Sequence, residues 1–136
     1  MTTDQLARAF CECTLPGDQW THFAHLRVGL WHLLRYPPSE AIDLLRERIS
    51  RYNESLGGEN TDTAGYHETI TAFYVWAIDR FLKTADRSLS VDELAEQLIV
   101  SPCGDKELPL RYWSKDCLMS TPARLAWVEP DAHPLE

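Results

Sequence analysis

No stretch of this chain approaches the roughly 20 consecutive apolar residues of a membrane-spanning helix. Met1 to Phe10 is polar and contains Asp4, so neither a membrane anchor nor a secretory leader is expected, and the expected location is the cytoplasm. Cations are scarce: 13 Lys and Arg stand against 21 Asp and Glu, a formal charge of −8. Nucleic-acid backbones are held by clustered Lys and Arg, and anionic membranes repel acidic surfaces, so neither is expected as a partner. Cysteine is limited to Cys11, Cys13, Cys103 and Cys117. A Cys-x-Cys followed far downstream by two separate cysteines is no zinc-ribbon spacing, and without a secretory signal reduced thiols are the expectation. The period-two alternation of a half-buried strand is missing, as is any internal repeat. No nucleophile elbow, glycine-rich phosphate loop or Cys-His signature occurs, so no reaction class can be read from a motif.

What is present is helical periodicity. A chain of 136 residues fits one domain, long enough to remove about two-thirds of its unfolded surface from water. Trp20 to Tyr36 contains no Pro and one Gly, and only Arg27 and Arg35 are charged. Its apolar residues cover most of the circumference, which places it in a core. At about 100° per residue, His22, His25, Gly29, His32 and Tyr36 share an arc of roughly 80°. Imidazoles are therefore carried inward, and buried polar groups need partners. A second segment, Tyr66 to Leu82 and extending to about residue 84, has almost no polar face, and two such helices in a small domain must pack on each other.

Around them the sequence predicts an outer layer. Thr3 is placed to cap a first helix with Leu6, Phe10 and Cys13 inward, ended by Thr14-Leu15-Pro16-Gly17. Asp18 or Thr21 caps the central helix, which stops before Pro37-Pro38. Ser39 is placed to cap an amphipathic helix running to Gly57-Gly58. Glu59 to Gly65 is a polar loop, and Ser90 with Glu93 forms a capping box for a helix ending at Pro102. From Cys103 the chain reads as irregular, with short turns capped by Ser114 and begun by Thr121-Pro122, and residues 129–136 as an extended surface tail. The expected fold is all-α, a single-domain bundle of about five helices.

Thr21-His22-x-x-His25-Leu26-Arg27, Tyr66-His67-Glu68-Thr69, and the closing Tyr112-Trp113-Ser114, Ala123-Arg124 and Glu129-Pro130-Asp131 resemble an uncharacterised family of small bacterial helical proteins. The resemblance runs along nearly the whole chain. It implies that these motifs belong to one unit, and it brings with it no reaction or substrate.

Three functional readings follow from the residues. In the first, His22 and His25, one turn apart, and His67 from the second central helix bind a divalent metal (zinc, iron, nickel or manganese) with a position left for water. His32, about 10 Å along the axis from His25, is too far to join that ion. The structural alternative gives His22 and His32 backbone carbonyl partners, and makes Glu68 the third-position capping glutamate of a helix capped by Gly65. In the second reading the pocket is metal-free and holds a small molecule: His67 or Glu68 supplies acid–base chemistry, and Arg27, Tyr66, Thr71 and Tyr74 orient the ligand. The third is an interaction or homo-oligomerising domain that uses its proline-bearing tail and its surplus tryptophans.

Overall fold

The computed structural model describes all 136 residues, Met1–Glu136, and its regular structure is all helical, with no strand. There are seven α-helices rather than five: α1 Thr3–Cys11, α2 His22–Arg35, α3 Pro38–Ser55, α4 Glu68–Thr84, α5 Val91–Val100, and the short α6 Lys115–Leu118 and α7 Thr121–Leu125. No helix is long and apolar enough to cross a membrane.

Capping follows local chemistry, with three corrections. Helix α1 is capped by Thr2, not Thr3, in a capping box with Gln5. Thr3 is wholly buried: its N–H donates to Asp92 and its hydroxyl accepts from Arg27, so its side chain is not free to cap. Helix α3 starts from Pro37 and Pro38, leaving Ser39 inside the first turn, because the fixed φ of proline already suits the first helical positions. Helix α4 is capped by His67 itself, whose Nδ1 accepts the Ile70 N–H at 3.1 Å. Gly65 lies in the preceding loop at φ 84, so Glu68 is the first helical residue and not the third-position capping glutamate. Thr21 caps α2, Ser114 caps α6, and Ser90 with Glu93 forms a complete capping box on α5.

Helix α2 is the pivot, packing against α1, α3, α4 and α5. It buries Leu26, Val28, Gly29, Leu30, Trp31 and His32 among others, as its apolar circumference requires. Helix α4 buries Phe73, Val75, Ile78 and Leu82, each large apolar side chain contributing about 1.5–3 kcal/mol. It is not enclosed all round. Trp76 stays half-buried under the Arg80 guanidinium, 4.8 Å from its ring centre. The outer side of α4 is covered by the C-terminal segment. Trp113, with no exposed surface, meets Phe73 edge-on at 5.5 Å between ring centres. The Thr69 hydroxyl donates to Ala126 O at 2.8 Å and accepts from Val128 N–H at 3.2 Å.

Residues after Leu125 form no helix and are nonetheless tied down. Asp131 accepts the N–H and hydroxyl of Ser114 at 2.7 and 2.6 Å, and the Ala132 and His133 N–H groups donate to Tyr112 O. These bonds clamp the chain end around Tyr112-Trp113-Ser114. The region from residue 106 to 119 is thereby held against the open side of α2 and α4, and that arrangement creates the cavity described next.

Candidate functional site

Between α2, α4 and the 106–119 segment lies a cavity of about 420 Å³. Its walls follow from helix periodicity. Ile70, Tyr74 and Ile78 recur at four-residue intervals on α4, Leu45 and Ile49 do so on α3, and His22, His25, Leu26 and Gly29 line the α2 side. Pro109, Leu110, Leu118 and Met119 close it from the C-terminal segment. This last contribution was not legible in the sequence, because that segment has neither helical nor strand periodicity. Gly29 is what allows α4 to come close: a Cβ built there would meet Ile78 Cδ1 at 2.9 Å.

Four of the sequence-predicted residues, His22, His25, Thr71 and Tyr74, line the cavity. The Nε2 of His22 lies 2.9 Å from Cys103 O, a carbonyl that only an N–H can satisfy, so Nδ1 is left without a protein partner. His25 is the mirror case. Its Nδ1–H donates to Thr21 O at 2.6 Å, its ring stacks on Trp20 at 3.8 Å, and Nε2 has no protein partner. His25 is exposed at the mouth of two recesses, with protein packed closely around its ring. Desolvation therefore holds its pKa below the usual histidine range, with a smaller push from His22 and a partial offset from the Thr21 bond.

Tyr74 carries the most informative atom. Its hydroxyl is buried and is the sole buried side-chain nitrogen or oxygen in the molecule with no hydrogen-bond partner. Burial raises its pKa, and the charges of Cys103 and Asp105 add to the effect, so the group is an O–H donor at any physiological pH. The Tyr74 and His22 rings meet edge to face at 5.6 Å. The hydroxyl of Thr71 is already engaged, donating to His67 O at 2.8 Å.

The remaining candidates lie elsewhere. His67 faces the cavity with neither nitrogen: Nδ1 caps α4, while Nε2–H donates to Leu118 O at 2.6 Å. Burial lowers its pKa, so the ring is neutral and both of its sites are taken. The expected metal trio His22, His25 and His67 is therefore not brought together. No three His, Cys, Asp or Glu side chains converge in a way that could hold an ion. Glu68 is gripped by Arg46 through two 2.9 Å bonds and accepts from the Tyr66 hydroxyl at 2.8 Å. The Arg46 guanidinium keeps its carboxyl below the usual carboxylate range, and this fixed anion ties α3 to α4 instead of moving protons. Tyr66 borders a separate polar cleft with Glu68 and Arg124. Arg27 points away from the cavity, donating to Thr3 and to Met1 O. His32 is fully buried; its Nδ1–H donates to Val28 O and its Nε2 accepts from Arg48 at 2.9 Å.

No protein-family model, curated protein or solved structure matches this chain. The class of molecule is set by fold and site alone: a small all-helical protein with a largely apolar cavity between α2, α4 and the 106–119 segment.

Proposed function

We propose that the chain binds one small, mostly apolar molecule in the cavity between α2 and α4, without a metal. The observation that carries this is the cavity itself, largely apolar, with two imidazole nitrogens, His22 Nδ1 and His25 Nε2, left without protein partners on residues of its wall. An apolar chamber with a few convergent polar atoms is the usual form of a ligand site, and about 420 Å³ lies within the range such sites occupy. His22 Nδ1 and His25 Nε2 are free to accept from a ligand hydroxyl. A metal reading on His22, His25 and His67 requires His67 to free a ring nitrogen that is already bonded, either the Nδ1 that caps α4 or the Nε2 that meets Leu118 O.

Calorimetric titration with octan-1-ol, a neutral probe that fits such a chamber, tests the reading. Saturable one-to-one binding is expected, and Ile70→Phe, which fills part of the cavity, should weaken it. Absence of saturable binding by the native chain, or binding indifferent to Ile70→Phe, would show that the cavity is packing space and not a site.

A further inference from the structure

Three lysines occur in the whole sequence, at positions 83, 106 and 115. Lys83 is paired with Asp79 at 3.2 Å. Lys106 and Lys115 have no ion-pair partner, and both lie on the wall of the apolar cavity. No Asp or Glu lines that cavity, so in a molecule of net charge −8 its charged wall residues are cations alone. The nearest acid in sequence, Asp105, is turned to Arg111 at 3.7 Å and accepts the Glu107 N–H at 2.9 Å. Neither Glu107 nor Asp116 contributes to the wall.

Resting on the ligand-cavity reading above, we infer that the occupant is an aliphatic monocarboxylate, its head held by the Lys106 and Lys115 ammonium groups and its chain lying among Ile70, Ile78 and Leu45. A hydrogen bond between two ionised partners is about twice as strong as a neutral one. Phosphate is a poorer match. Its recognition favours the arginine fork or a cluster of backbone N–H groups, and the cavity wall has no arginine. The apolar remainder of the wall rewards a hydrocarbon chain, each buried methylene tightening binding by about fourfold.

The test is calorimetric titration of the full chain with butanoate, hexanoate and octanoate, beside octan-1-ol. Affinity should rise about fourfold per added methylene, and octanoate should bind about tenfold more tightly than the alcohol of equal length. Added salt should weaken octanoate alone. In the double variant Lys106→Met with Lys115→Met, both at exposed positions, the preference for octanoate over octan-1-ol should disappear. Equal binding of acid and alcohol by the native chain, or a double variant that keeps the preference, would overturn the carboxylate assignment and leave the cavity reading in place. Failure of both probes to bind would remove the cavity reading itself.

Discussion

Tyr74→Phe deletes one oxygen atom, and the structure makes its effect opposite in sign to the usual tyrosine truncation. In the ligand-free protein the hydroxyl is desolvated with nothing to receive its proton. Removing it returns the desolvation penalty, on the order of 1–2 kcal/mol, while the ring keeps its packing against Phe73 at 5.1 Å and against His22. The variant should therefore be more stable than the native chain. Tyr52→Phe is the internal control. Tyr52 has no exposed surface, and its hydroxyl donates to Leu15 O at 2.7 Å. Losing that donor strands a buried carbonyl, so this variant should be destabilised by about 1–2 kcal/mol. Urea unfolding of the three proteins, with equal m values, would place the midpoint of Tyr74→Phe above the native one and that of Tyr52→Phe below it. If the two variants shift the midpoint in the same downward direction, the Tyr74 hydroxyl has a partner in solution, and the reasoning from its isolation collapses.

Burial pushes the pKa of His32 down to about 4 from the ordinary 6.5, with the Arg48 and Arg35 charges adding to it. Because the folded value is depressed, its contribution is fully present above pH 6.5 and is lost as pH falls through 4, in total about 3 kcal/mol. NMR titration of its ring should find no protonation until well below pH 6, and a His32 that titrates near 6.5 would contradict the packing. Gly29→Ala adds a methyl that meets the flexible end of Ile78, which can swing into the cavity. Thermal melts should show a neutral to slightly stabilising change, up to the roughly 1 kcal/mol of helix propensity, while octan-1-ol affinity falls. Unaltered octan-1-ol binding would mean the ligand does not sit beside this helix. His67→Ala removes a helix cap and leaves Leu118 O unpaired, so denaturant unfolding should register a loss of about 2–3 kcal/mol. Elemental analysis should find the metal content unchanged by this substitution, and a stoichiometric metal that disappears with His67 would restore the three-histidine reading.

The sequence alone determined the helical class and where most helices begin and end. The Ser90 and Glu93 capping box, the stop of α2 before Pro37-Pro38 and the burial of the 22–35 segment are consequences of residues within a few positions of one another. Caps with close competitors were less legible. The sequence pointed to Gly65 as the cap of α4, and His67 takes that place instead because its ring is also anchored to Leu118, 51 residues away. The same distinction separates the candidates. Spacing put His22 and His25 on one face of a helix, but it had no means to say which nitrogen meets which carbonyl, since Cys103 is brought to His22 by the path of α5 and the turn after it. Only the tertiary structure decided that Glu68 belongs to Arg46, that the unpatterned 106–119 segment walls a cavity, and that Tyr74 is left without a partner. Helical period and capping are short-range properties of the backbone, whereas the satisfaction of a buried polar atom depends on which distant segment the fold lays beside it.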